Sequence, residues 1–289
     1  WDFSRHTETK RIVIGPDAGG TQWDFFRSAV AADGRTCALV LIAGRDATAR
    51  WRLQIFDLET GRSRHDEVLV HRPYALALTA DGASLAMAYT DTVEIELRAV
   101  ASNTVRWHRP VGTSGAYALT FSPDDRHLVW AGRDALVRVV DAANGEIVRE
   151  LRGHAGGVPD ATWSPRDGTL VSAGSSGDVR LWPRLYRRDS RAVAGFWASP
   201  TNSGTLSVSA DGRQIALTRD GQQVDVIASD TLEIIATVPN ALSPVGFSND
   251  GALLTLTPKG GLQFHPPENP KALQREFAVP ADGMPTSAA

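Results

Sequence analysis

The sequence predicts an all-β propeller of four-stranded antiparallel blades, and three observations carry the prediction. A turn centred on aspartate recurs at a nearly fixed interval. The segments between turns are apolar runs of about four to eight residues, the length of strands. No stretch of about 10 residues or more shows the periodicity of a helix. The turn reads Ala31-Ala32-Asp33-Gly34, Thr79-Ala80-Asp81-Gly82, Phe121-Ser122-Pro123-Asp124-Asp125, Trp163-Ser164-Pro165-Arg166-Asp167-Gly168, Ser209-Ala210-Asp211-Gly212 and Ser248-Asn249-Asp250-Gly251. Its anchoring aspartates lie 48, 43, 43, 44 and 39 residues apart. Units of about 40–45 residues have the size of a propeller blade.

Each unit follows one grammar. In residues 110–152 a short apolar stretch, Tyr117 to Phe121, leads into the aspartate turn, where the carboxylate caps backbone N–H groups. The run His127 to Ala131 follows, then a polar loop at Arg133-Asp134, then the alternating Leu136-Val137-Arg138-Val139-Val140. The turn Asp141 to Gly145 introduces Ile147 to Leu151. Repeating this grammar divides the chain into six repeats at approximately 21–71, 72–109, 110–152, 153–195, 196–240 and 241–279, with a tail at 280–289. Residues 1–20 fit the trailing half of a blade, with Trp1-Asp2 ending a third strand and Arg11-Ile12-Val13-Ile14 forming a fourth. On the favoured reading, residues upstream of Trp1 complete a seventh blade. On the alternative, residues 1–14 close against the last unit.

The unit at Glu146 to Trp182 carries side chains that resemble the WD-repeat family. It contains Leu151-Arg152-Gly153-His154, Trp163-Ser164-Pro165 and a Val179-Arg180-Leu181-Trp182 ending. In that family a His, a strand Ser or Thr, a tight-turn Asp and a Trp form a hydrogen-bonded stack inside the blade. The resemblance places His154, Ser172 and Trp182 at three of these positions and Ser176 at the place of the Asp, which predicts an incomplete network. The role of these residues is then architectural. The resemblance also implies a scaffold for protein or peptide partners in a cytoplasmic setting.

Composition narrows function by exclusion. Charged residues are 22%, hydrophobic residues 42% and the net charge is −3, which excludes a disordered chain and a strongly cationic nucleic-acid binder. One cysteine, Cys37, permits no internal disulfide and sits in a strand pattern that predicts a buried thiol. The longest apolar run is far shorter than the roughly 20 residues of a membrane span. No nucleophile elbow, phosphate-binding glycine loop, zinc-binding His pair or calcium loop occurs, so no catalytic residue, metal or cofactor is expected.

A rigid propeller offers loop faces for recognition. The loops between second and third strands and between blades are expected to form a basic, aromatic face. Its candidates are Arg45, Arg72, Trp107, Arg109, Arg133, Trp197, Arg219 and Lys259, with Arg50, His71 and His108 beside them. Arg and Trp are residue types enriched in binding hot spots, so the expected partner is an acidic protein or peptide, or an effector domain of the same polypeptide. A second cluster, Arg180, Arg184, Arg187, Arg188 and Arg191 around Tyr186, reads either as a solvated loop or protein contact, or as a phosphate or RNA contact. The function expected is a noncatalytic recognition module, the C-terminal regulatory part of a larger bacterial protein. The alternative is the propeller domain of a hydrolase, or another propeller enzyme, gating a central-channel site.

Overall fold

The structure, a computed structural model, describes residues 12, 14, 16, 19–44, 48–111, 115–183, 191–194, 206–219, 222–248, 250–259, 261–267, 269–270, 273 and 275–277. Among them there is no α-helix, and the strands form six four-stranded sheets, the blades of a β-propeller. The first blade comprises β1 (Asp24–Val30), β2 (Thr36–Ala43), β3 (Arg50–Asp57) and β4 (Ser63–Leu69). The second comprises β5 (Pro73–Leu78), β6 (Ser84–Tyr89), β7 (Glu94–Ala99) and β8 (Thr104–Pro110). The third comprises β9 (Ala116–Phe121), β10 (His127–Gly132), β11 (Leu136–Asp141) and β12 (Ile147–Arg152). The fourth comprises β13 (Asp160–Trp163), β14 (Leu170–Gly174), β15 (Asp178–Trp182) and β16 (Arg191–Ala194). The fifth comprises β17 (Leu206–Val208), β18 (Gln214–Arg219), β19 (Gln223–Ala228) and β20 (Ile234–Pro239). The sixth comprises β21 (Ser243–Phe247), β22 (Leu253–Leu256), β23 (Leu262–His265) and β24 (Arg275–Phe277). Every sheet is a simple meander in sequence order. The half-blade expected at residues 1–14, Ile12 and Ile14 apart, and the tail at 280–289 lie outside the described residues.

The chain forms two compact units: Trp1–Leu128 with Asp141–Glu146, and Val129–Val140 with Ile147–Ala289. In the first unit, β1 neighbours β5 and β5 neighbours β9; in the second, β13 neighbours β17 and β17 neighbours β21. The core lies between neighbouring sheets rather than inside one. In the first unit Val40, Leu53 and Ile55 pack with Leu78, Leu85 and Met87. In the second, Val171, Ala173 and Leu181 pack against Ile215, Leu217 and Ile227. The middle strands are therefore apolar on both faces, as in β6, where all six residues are buried. Fourth strands are mostly exposed, as in β12, where Leu151 is the one buried residue, because one side faces water. Between third and fourth strands a bulge recurs at Ile55/Phe56, Leu97/Arg98, Val139/Val140 and Val226/Ile227. A bulge at this point sharpens the right-handed twist that each blade requires.

The aspartate turns repeat one arrangement. The Thr79 hydroxyl and the Ala83 N–H both donate to Asp81 Oδ1, at 2.7 and 2.9 Å. Ser209 and the Arg213 N–H do the same for Asp211, at 2.6 and 3.0 Å. The Ala83 N–H and the Thr79 hydroxyl hold Asp81 below the ordinary carboxylate range; the Ser209 hydroxyl and the Arg213 N–H do so for Asp211. In the first unit the turns also join one another. The Asp33 N–H donates to Ala80 O at 2.9 Å, and the Ala80 N–H donates to both Asp125 carboxylate oxygens at 3.0 Å.

Candidate protein-binding cleft

His154, Ser172 and Trp182 of the fourth blade come together, and a carboxylate reaches them where the sequence places only Ser176. Ser172, fully buried on β14, sits 2.7 Å from His154 Nε2 and accepts the Trp182 Nε1–H at 2.8 Å. His154 Nδ1 lies 2.8 Å from Asp178 Oδ2, a close contact without the alignment of a hydrogen bond, so the carboxylate beside the ring belongs to Asp178 and not to Ser176. Ser176 donates to Asp178 Oδ1 at 2.7 Å, and Arg180 donates to Oδ2 at 2.9 Å. The two hydrogen bonds on Ser172 fit one pattern, in which the Trp182 N–H donates to Ser172 and the Ser172 hydroxyl donates to His154 Nε2. Burial lowers the His154 pKa against the opposing pull of Asp178, which disfavours the charged ring. Gly174 leaves room for this contact, since a Cβ there would collide with both the Asp178 carboxylate and His154 Nδ1.

The other blades hold different polar locks at their middles. In the first, Arg52 grips Asp66 through Nε at 2.7 Å and Nη2 at 2.5 Å, with Gln54 adding 2.9 Å. In the second, the Tyr89 hydroxyl and Arg98 Nε both donate to Glu96 Oε1 at 2.8 Å, and Arg98 also binds Glu67 of β4. In the third, Arg138 pairs with Asp134 at 2.6 Å and Glu150 at 3.2 Å. In the fifth, fully buried Asp225 accepts from Thr237 at 2.6 Å and pairs with Arg219 at 2.5 Å. In the sixth, Thr255 and His265 meet at 3.1 Å. These side chains contact one another within the blade or across to the neighbouring sheet, although Arg52 Nη1 and Gln54 Oε1 are buried without a hydrogen-bond partner.

The candidates for a basic face divide on inspection. Arg45 and Trp197 lie outside the described residues, as do Arg184, Tyr186, Arg187 and Arg188 of the second cluster; of Arg191 only the backbone, in β16, is described. Trp107, His108 and Arg109 belong to strand β8 and not to a loop between blades. Trp107 is buried there and donates Nε1–H to Ala142 O at 2.9 Å, so it is a packing residue. Arg109 is half-buried, its Cγ beside Gly145. Arg219 is held by Asp225, and Arg180 by Asp178. Arg133 and Lys259 are exposed, at the β10–β11 and β22–β23 connections of the second unit.

Arg72 and Arg50, both expected on the basic face, border a concave site. Arg72 lies between β4 and β5 and lines a cleft of about 560 Å³ between the first two blades, together with Phe26, Ile42, Ala49, Arg50, Trp51, Leu69, Val70 and Asp91. Phe26 meets Trp51 edge-on at 4.9 Å. The Arg72 guanidinium carbon lies 5.6 Å from the Trp51 ring centroid, and Arg50 takes the same distance over Trp23. Arg27 stands behind Phe26 and Tyr74, at 4.5 and 4.9 Å from their rings. Asp91 accepts the backbone N–H groups of Arg72 and Thr92, both at 3.1 Å, and faces His71 Nδ1 at 3.2 Å. Val70 projects into solvent with 89% of its surface exposed. Sequence reasoning passed over Phe26, Trp51, Val70 and Asp91, which come from separate strands and loops and share no local motif. A smaller cavity of about 390 Å³ lies between the fourth and fifth blades, bordered by Ser164, Arg166, Leu181, Ile215 and Asp230.

Among the described residues no three His, Cys, Asp or Glu side chains come together in a way that could hold a metal ion. Among the described residues no helix is long and apolar enough to cross a membrane. Cys37 is buried, and burial raises its thiol pKa, which disfavours the reactive thiolate.

A family model described as WD domain, G-beta repeat matches residues 145–183, the segment that contains the His154–Ser172–Trp182 stack. The chain is 31% identical over 94 residues to the human WD repeat and HMG-box DNA-binding protein 1, covering 29% of this chain and 8% of that protein. It is 30% identical over 128 residues to nuclear distribution protein PAC1 of Arthroderma otae, covering 44% and 27%. It is 32% identical over 113 residues to the WD repeat-containing protein AAC3 of Dictyostelium discoideum, covering 37% and 22%. The chain therefore aligns with about a quarter or less of each relative's length. These relatives are eukaryotic and do not support a specifically bacterial type of repeat.

Proposed function

We propose that this WD-repeat β-propeller is a noncatalytic module for protein recognition, and that a segment of its partner docks in the cleft between the first and second blades. The cleft itself carries the proposal. It falls in the size range of pockets that bind small ligands or side chains, it is floored by Phe26 and Trp51, and its rim holds guanidinium groups on rigid strands and short loops. Aromatic and Arg side chains at the centre of a concave patch are the usual anchors of protein interfaces. The remaining expectation, a regulatory module of a larger bacterial protein acting in the cytoplasm, is part of the same proposal. The lone buried thiol of Cys37 suits a reducing compartment.

Selection of a random 12-residue peptide display library against the chain tests the reading. Enriched peptides should lose binding to Val70→Asp, a substitution at a fully solvated position that leaves the core intact. Failure to enrich any peptide, or enrichment indifferent to Val70→Asp, refutes it.

A further inference from the structure

We infer that the cleft selects a peptide segment in which an aliphatic or aromatic side chain stands next to one or more carboxylates. The inference rests on the recognition reading above and adds the chemistry of the occupant.

Two halves of the cleft differ in character. Ile42, Leu69 and Val70 with the Trp51 and Phe26 rings make an apolar socket. Arg50 and Arg72 border the same space, and among the described residues neither has a carboxylate within ion-pair distance. The Arg50 guanidinium donates to the Thr21 hydroxyl at 2.8 Å, and Arg72 lies over Trp51. A guanidinium lying on an aromatic face keeps its N–H edge directed outward, the geometry that receives a carboxylate in a two-pronged contact. The cleft's own acid does not compete. Asp91 is engaged with the Arg72 and Thr92 backbone N–H groups and with His71. Elsewhere in the chain the arginines at blade centres are already paired, as Arg52 is with Asp66, Arg98 with Glu96 and Arg138 with Asp134. Arg50 and Arg72 thus stand out as cations facing an open cavity. Two cations beside an apolar socket suit a peptide better than a nucleic-acid strand, whose binding depends on many phosphate contacts along a basic groove, and the chain carries a net charge of −3.

Fluorescence anisotropy with four labelled ten-residue peptides tests the inference. One carries Leu flanked by Glu, one Leu flanked by Lys, one Glu without the apolar anchor, and one Phe flanked by Glu; a labelled single-stranded RNA of equal length is the fifth probe. The Leu–Glu and Phe–Glu peptides should bind about 10-fold or more tighter than the Leu–Lys peptide. Arg72→Glu should erase or reverse that preference, and Arg50→Glu should weaken it. Removing the apolar anchor should cost about 10-fold. Equal binding of Leu–Glu and Leu–Lys peptides that is still lost on Val70→Asp overturns the charge selection while leaving peptide recognition in place. A preference for Glu peptides unmoved by either arginine variant places acidic binding elsewhere and overturns the inference. RNA binding that exceeds every peptide and is lost on Arg72→Glu overturns it in favour of nucleic acid. No binding by any probe overturns both this inference and the recognition reading.

Discussion

Replacing Ser172 with alanine removes one oxygen from the middle of the fourth blade, and two buried nitrogens lose their partner. Ser172 has no exposed surface; its Oγ lies 2.8 Å from Trp182 Nε1 and 2.7 Å from His154 Nε2. Trp182 and His154 are each 7% exposed, so water cannot replace the hydroxyl without opening the blade. Each stranded group costs about 1–3 kcal/mol, and two of them set the loss at roughly 2–6 kcal/mol, a large part of the 5–15 kcal/mol typical of a folded domain. Equilibrium urea unfolding, followed by far-ultraviolet circular dichroism and Trp fluorescence, gives the change from the shift in midpoint at constant slope. Trp182→Phe removes the indole N–H as well as ring volume, so the doubly substituted chain strands one nitrogen fewer than the sum of the single variants. The cycle should therefore show a coupling of about 1 kcal/mol or more. A loss below about 0.5 kcal/mol for Ser172→Ala, or strict additivity with Trp182→Phe, would mean that the hydroxyl is not the hub of the stack.

Stability should fall as pH drops below 6.5, the ordinary histidine value, because burial lowers the folded pKa of His154. Below 6.5 the unfolded chain takes up a proton that the folded blade refuses until lower pH, so stability present above 6.5 is lost toward the folded pKa; urea midpoints at pH 7.5, 6.5 and 5.5 check it, and His154→Gln should flatten that slope. Gly145→Ala should cost about 2–4 kcal/mol in urea unfolding, since its φ is +74° and a Cβ would sit 2.8 Å from the Trp107 ring. Asp125→Asn should leave stability at pH 7 unchanged or raised. Burial and the neighbouring Asp81 and Asp124 charges raise the Asp125 pKa against the Ala80 N–H, so the ionised form is disfavoured on folding, and the amide oxygen still accepts that N–H; a lower midpoint would contradict this account.

The legible parts of the fold were those set by local chemistry. A Ser or Thr two residues before Asp, as in Thr79 and Asp81, closes its own turn by hydrogen bonds within five residues, and no distant contact is needed to recognise it. The apolar runs on either side followed because middle strands are covered on both faces. Strand β8 was harder to read. Arg106-Trp107-His108-Arg109 has the polarity of a loop, yet only one face of this fourth strand is covered, and Trp107 occupies it. The carboxylate beside His154 was hidden for a related reason, since the expected acid position holds Ser176. Spacing within the turn points to Ser176, whereas the direction of the β15 side chains lets Asp178 reach His154. The cleft had no local signature, since Phe26, Ile42, Trp51 and Leu69 come from four strands. A pair of Arg residues flanking Trp51 at Arg50 and Arg52 was a faint trace of it.

The unlike polar locks at the blade centres also bear on how the chain finds its fold. Repeats of similar length and pattern can trade strands with one another while folding, and such exchange is a characteristic hazard of repeat proteins. Here a stray strand would arrive without its counterpart. A β3 strand paired outside its own blade would bring Arg52 with no Asp66, and β19 would bring Asp225 with neither Thr237 nor Arg219. Leaving one half of a buried charged pair alone costs about 3–5 kcal/mol, far more than the turns and apolar runs, which are nearly interchangeable, could discriminate. The loss of a common signature across the blades therefore gives each strand an address, legible only to its own neighbours.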